Sequence, residues 1–292
     1  MKRNKNINML NLKEYIKESI LDDDEDIVFN DVGIKSEIEK FIKDNYKCAR
    51  FTMSNKPNKD GKFVVDGTDI LVANKNINSL TNNLFIWGKV IGNFHCSFCN
   101  SLTSLEGAPQ KVGGDFDCSY CSSLKSLKGA PKEVSGFYCH NCYSLTSLEG
   151  APKEVRGYFN CSHCDSLTSL EGAPKEVGKD FVCSGCNSLT SLEGAPKKVG
   201  LSFNCSGCNS LKSLEGAPKE VNRSFNCAYC DSLTSLEGAP KKVGGFFDCS
   251  YCDSLTSLEG APEKVGKTFL SSKNKFSIED IEKVVKAKQI KI

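Results

Sequence analysis

The chain has 292 residues, with 38 lysines and arginines against 36 aspartates and glutamates, and 17 cysteines. A formal charge of +2 argues against a general nucleic-acid binder, which carries a basic excess or stripe, and no apolar run approaches the ~18 residues of a membrane-spanning helix. The opening Met1-Lys2-Arg3-Asn4-Lys5-Asn6 is followed by no apolar stretch of a secretory signal, so the thiols do not read as a secreted disulfide scaffold.

Residues 1–50 read as a helical leader or tail with an acidic linker. An amphipathic pattern over 9–21 precedes the acidic run Asp22-Asp23-Asp24-Glu25-Asp26, and Ile34, Ile38, Phe41 and Ile42 predict a second helix at about 33–46. Leu12-Lys13-Glu14-Tyr15-Ile16-Lys17-Glu18 resembles the short leader by which tailed phages target proteins into the prohead. That resemblance implies cleavage after an apolar-x-Glu motif, here between Glu18 and Ser19. Residues 51–93 read as an N-terminal cap, with Phe63–Thr68 and Ile70–Leu80 as degenerate repeats lacking cysteine.

From 94 to 270 the period is explicit. Sixteen cysteines form eight Cys-x-x-Cys pairs beginning at Cys96, Cys118, Cys139, Cys161, Cys183, Cys205, Cys227 and Cys249, spaced by 22 residues except for one step of 21. Eight of the nine prolines fall in one column of the same frame. A fixed period of this size predicts a solenoid, whose units bury their apolar faces only against neighbours. Phe181 and Cys183, two apart, point to one side of a short strand, and Leu189, Leu192 and Val199 return apolar groups to the core. Gly194-Ala195-Pro196 is a turn that interrupts any crossover helix, so one strand per unit with an irregular return is expected. Residues 271–292 form a C-terminal cap: Ser277-Ile278-Glu279-Asp280 reads as a capping box opening a helix through about Lys288, with Ile278, Ile281, Val284 and Val285 covering the open end.

Phe-x-Cys-x-x-Cys followed by Leu-x-x-Leu resembles the leucine-rich-repeat signature, with Phe203 and Cys205 at strand leucine positions and Cys208 at the Asn/Cys ladder position. The unit is similar to the bacterial and phage-borne "LTSLEGAP" repeats of the BspA-like group, over about residues 63–270. One extra residue stands between the ladder position and the next leucine. The resemblance implies an α/β solenoid of eight 22-residue leucine-rich repeats over 94–270.

Repeated Cys-x-x-Cys admits three readings: a structural thiol ladder, zinc sites built from two pairs, and inter-rung disulfides. The ladder reading makes each first cysteine a small buried hydrophobe and each second one a cap on the backbone of the adjacent rung. His95, His140 and His163 stand beside these pairs, as exposed drift or as further metal ligands. Gly260–Thr268 only superficially resembles a phosphate-binding loop, having one residue too many and Pro262 where N–H groups are needed. No motif supports catalysis, and no cofactor is implied. The glutamate column (Glu106, Glu149, Glu171, Glu193, Glu215, Glu237, Glu259) and the lysine column four residues later read as a solvated face, since 94–265 holds 16 basic and 19 acidic residues.

Partner specificity is expected in the variable columns. Those flanking the strand phenylalanine contribute Tyr138, Tyr158, Asn160, Asn204, Asn226 and Phe246, and the column between the paired cysteines contributes Phe98, Tyr120, Tyr229 and Tyr251. The expectation is a non-enzymatic, phage-borne module that binds a protein partner through its exposed strand face. It would act in the cytoplasm of a bacterial host, away from membrane and nucleic acid. A structural protein of the virion or prohead with a cleavable leader, and a zinc-binding repeat protein, are the alternatives.

Overall fold

The computed structural model describes residues 31–292 apart from 81–83 and 273–274; the amphipathic stretch at 9–21 and the Glu18–Ser19 junction lie outside the described residues. The chain winds into a β-solenoid of about 10 turns. Its order follows from the period, because each strand pairs in parallel with its own copy one turn on: Phe159 with Phe181, Phe181 with Phe203, Phe203 with Phe225, Phe225 with Phe247. Each 22-residue unit therefore advances the structure by one strand spacing, ~4.8 Å. The 21-residue step is absorbed in the return. Only Ser135 and Gly136 separate Val134 from Phe137, where other turns have three residues, and Phe116 still pairs with Phe137.

The return is more regular than the sequence implies, and the α/β expectation is corrected here. Most turns carry a second two-residue strand, as where Glu176–Val177 pairs in parallel with Glu154–Val155 and Lys198–Val199. No helix occurs among the described residues of the turns over 94–270. The Gly-Ala-Pro turn leaves too few residues before the valine for a helix, and proline has no N–H to contribute to one. Extended residues stacked on identical neighbours satisfy the backbone instead.

The interior is a set of columns. Phenylalanine, both cysteines, both leucines and valine are buried in turn after turn, and nine phenylalanine rings from Phe94 to Phe269 stack with centroids 5.2–5.5 Å apart. The glycine of Gly-Ala-Pro is dictated by this stacking. Gly194 has φ +84°, and a Cβ there would lie 2.4 Å from the Glu171 nitrogen of the preceding turn.

Both ends are closed. At the N-terminal end helix α1 (Asp31–Asn45) buries Ile38 and Ile42 and packs Ile34 and Phe41 against the core, the face expected from its spacing. Strand β1 (Tyr46–Cys48) and strand β2 (Phe51–Met53) then run antiparallel to β4 (Ile70–Val72) and β3 (Phe63–Gly67), terminating both ladders. The cysteine-free segments are turns in their own right: β3 pairs in parallel with β5 (Phe85–Val90), and β4 with Phe94–His95. Trp87 bridges the two regimes, edge-on to Phe85 at 5.2 Å and to Phe94 at 6.2 Å, where the stack begins.

At the C-terminal end Ser277 and Asp280 form the capping box of helix α2 (Ile278–Val284). The helix is shorter than expected. Residues Lys286–Lys291 form a strand parallel to Lys264–Leu270, because the last turn presents unpaired N–H and C=O groups that need partners. Ile281 and Val285 are buried, while Ile278 and Val284 remain exposed. Lys286, Lys288 and Lys291 on this final strand discourage further strand addition.

Candidate interaction surface

The thiols are architectural. Seven of the eight second cysteines donate the S–H to the carbonyl of the first cysteine one turn back: Cys121 to Cys96 at 3.2 Å, Cys142 to Cys118 at 3.3 Å, Cys164 to Cys139 at 3.2 Å, Cys186 to Cys161 at 3.2 Å, and so on to Cys252 on Cys227 at 3.1 Å, whereas Cys99, in the first such turn, is directed at the Ser97 carbonyl at 3.9 Å. The first cysteines reach forward in the same way where Cys118, Cys205 and Cys227 donate to Tyr138, Asn226 and Asp248 carbonyls. All seventeen cysteines are free thiols. Burial pushes Cys96, Cys118, Cys139 and Cys227 well above the ordinary thiol range, with neighbouring thiols adding to it, and raises Cys142 and Cys252 to about 12. Metal binding requires thiolate, the form that burial disfavours at these six cysteines. Among the described residues no group of three or more His, Cys, Asp or Glu side chains is placed to hold an ion.

The column that follows the strand phenylalanine is partly committed to its own backbone. Asn160 Oδ1 accepts from the Ser162 N–H at 2.9 Å, Asn204 from Ser206 at 3.0 Å and Asn226 from Ala228 at 2.9 Å. Asp117 and Asp248 act alike on Ser119 and Ser250. Each is an Asx turn placed one residue before the corner between the cysteines. Tyr138 is half-buried in the same column. Tyr158 and Phe246, one residue before the phenylalanine, are exposed and lie under lysines, with Lys179 Nζ 4.9 Å and Lys267 Nζ 5.5 Å from the ring centroids.

The corner itself has a property that sequence spacing did not disclose. Phe98 (φ 61°), Tyr120 (59°), Asn141 (58°), His163 (54°), Tyr229 (59°) and Tyr251 (58°) all have left-handed backbone, and the two remaining corners are Gly185 and Gly207. Left-handed φ suits glycine, tolerates asparagine and is an outlier for bulky side chains, with a cost of order 1–3 kcal/mol. The solenoid holds it: the corner N–H groups of Phe98, Asn141, His163, Gly207 and Tyr229 donate to Ser119, Ser162, Ser184, Ala228 and Ser250 carbonyls of the next turn at 2.8–2.9 Å. The glycines in this column were the signal available in the sequence.

Four aromatic rings stand at these strained corners, between 38% and 59% exposed. They form two stacked pairs, Phe98 on Tyr120 at 4.5 Å and Tyr229 on Tyr251 at 4.7 Å. The histidines are dispersed rather than gathered. His95 faces Asp117 at 3.6 Å, and His140 meets the Tyr120 ring edge-on at 5.2 Å while its Nδ1 lies 2.7 Å from Ser119 Oγ. Desolvation lowers the His140 pKa, which favours the neutral form of the ring beside the first aromatic pair. The third, His163, sits at a corner.

The return strands carry exposed charges that pair between turns. Ion pairs form where the residue preceding the valine changes sign between neighbours, as in Lys198–Glu176 at 2.6 Å, Lys242–Glu220 at 2.9 Å and Lys111–Glu133 at 2.8 Å. In the glutamate column Lys128 meets Glu106 at 3.4 Å. These pairs are solvent-exposed and contribute little to stability. No family model, curated protein or solved structure matches the chain.

Proposed function

We propose that the chain is a non-enzymatic interaction module of the leucine-rich-repeat type that binds a protein partner through its corner column and the adjoining strand face. One observation carries the reading: large aromatic side chains occupy left-handed corners where glycine fits the backbone better, and they are exposed rather than buried. Backbone strain is concentrated at functional positions, and exposed Tyr and Phe are common anchors at protein interfaces. Seven of the eight second cysteines direct the S–H to a carbonyl of the preceding turn, as the ladder position of leucine-rich repeats would, which supports the resemblance. The phage origin of the chain rests on the resemblance of its repeats and leader.

The test is capture from a bacterial lysate by the immobilised chain. It is compared with a variant carrying Phe98→Asn, Tyr120→Asn, Tyr229→Asn and Tyr251→Asn. Asparagine already occupies one such corner at residue 141 (φ 58°), so the turns are retained. A protein held by the native chain and lost by the variant, at unchanged melting temperature, is the expected result. Equal capture by both, or none by either, overturns the reading.

A further inference from the structure

The corner column is a stack of rings with one place left open. Phe98 and Tyr120 fill two successive turns and Tyr229 and Tyr251 fill two more, each pair nearly parallel, at 6° and 9°. Between them come Asn141, His163, Gly185 and Gly207. The place above Gly185 is taken, because a Cβ there would lie 2.4 Å from His163 Nδ1 and 2.6 Å from Cε1; the His163 ring folds over onto that turn. Above Gly207 a Cβ would meet nothing nearer than the Gly185 nitrogen at 3.8 Å. The His163 ring and the outer face of Tyr229 therefore stand about two strand spacings apart, roughly 10 Å, with Gly207 between them. That span admits one flat ring in stacking contact on both sides, as aromatic pairs prefer offset stacking at ~4.5–7 Å between centroids.

The opening belongs to a cavity of about 510 Å³ that also presents Asn209 and Asp231. These add an amide and a carboxylate acceptor beside the ring position, suited to a phenol O–H or an indole N–H. With Asp165 also near by, bonded to Asn187 at 3.1 Å, the surroundings are unfavourable for the phosphate of a nucleotide. We infer that the space over Gly207 receives a tyrosine or tryptophan side chain of the protein partner, which completes the ring stack between His163 and Tyr229. This rests on the interaction-module reading and names the anchor the partner must supply.

The slot can be tested without the partner, using p-cresol and 3-methylindole as side-chain probes and amide chemical shifts of the full chain as the readout. Cyclohexanol, methyl glucoside and adenosine monophosphate serve as controls. Saturable shifts at Gly185, Gly207 and Tyr229 with the two aromatic probes only are expected. Gly207→Tyr, whose ring would fill the place at a φ that Tyr229 and Tyr251 already adopt, should weaken probe binding at least tenfold. Tyr229→Asn, which removes one wall, should weaken it as well. Absence of shifts, equal response to cyclohexanol or glucoside, or binding unaltered in both variants overturns the slot. The two proposals fail separately. A partner lost by the four-asparagine variant but retained by Gly207→Tyr upholds the module and overturns the slot. Probe binding abolished by Gly207→Tyr, with capture by the four-asparagine variant equal to native, upholds the slot as a ring site and overturns the broader corner surface.

Discussion

The interior phenylalanine column and the left-handed corner column share one chain, one period and one strand spacing, yet they differ in how freely sequence varies. Inside, nine rings in register from Phe94 to Phe269 leave no room for another residue. At the corner, five residue types (Phe, Tyr, Asn, His and Gly) occupy the same backbone. In the interior the side chain is chosen by its neighbours above and below. At the corner the backbone is fixed by hydrogen bonds to the next turn, and the side chain is left free to serve something outside the molecule. A repeat protein can therefore hold its geometry constant while changing what it displays, because the two tasks fall on different columns.

Alkali should affect the buried columns most. The thiols of Cys96, Cys118, Cys139 and Cys227 are held above their ordinary value by burial, so the folded chain keeps protons that an unfolded chain gives up. Stability is then fully present below about pH 8.5 and falls as pH rises, by up to about 1.4 kcal/mol per buried thiol per pH unit. The reduced protein should unfold cooperatively between about pH 9 and 11, followed by circular dichroism; retention of the fold at pH 11 would contradict a protonated interior. Next in size is Phe181→Ala, which opens a gap in the middle of the ring stack and should cost about 3–5 kcal/mol in denaturant unfolding. A loss under 1 kcal/mol would show that the column is not the packing unit.

Smaller changes sharpen the contrast. Cys164→Ala removes one S–H donor and leaves the buried Cys139 carbonyl short of a partner, an effect of about 1–3 kcal/mol. Measured in the same assay, no change would reassign the second cysteines to packing alone. The corner should respond least. In Tyr229→Asn the relief of left-handed strain, about 1 kcal/mol, offsets the lost stacking on Tyr251, about 0.5–1.5 kcal/mol. A destabilisation matching that of Phe181→Ala would mean the corner rings serve the fold after all.

Much of this was legible along the chain. The 22-residue frame gave the parallel stack, the two thiol columns and the buried Phe, Leu and Val, because any residue that must repeat to fill an interior declares itself by recurring. Helix α1 and the Ser277 capping box were visible by spacing and by cap chemistry. What escaped was set by pairing between turns. Two-residue strands such as Glu176–Val177 carry no periodicity of their own, and Lys286–Lys291 reads as the end of a helix until the last turn's unpaired backbone draws it into the sheet.

The candidate surface divides in the same way. Phe98, Tyr120, Tyr229 and Tyr251 were identifiable as a variable aromatic column, whereas Asn160, Asn204 and Asn226 could not be seen to spend an oxygen on their own turns. The sequence alone determined the repeat, its interior and the positions free to vary, since those follow from which residues can stack on copies of themselves. Only the tertiary structure decided that the free corners are left-handed, that His163 folds onto Gly185 and that Gly207 stands open beside Tyr229. Backbone handedness and the reach of a side chain to the next turn depend on hydrogen bonds between turns, and these exist only once the chain is wound.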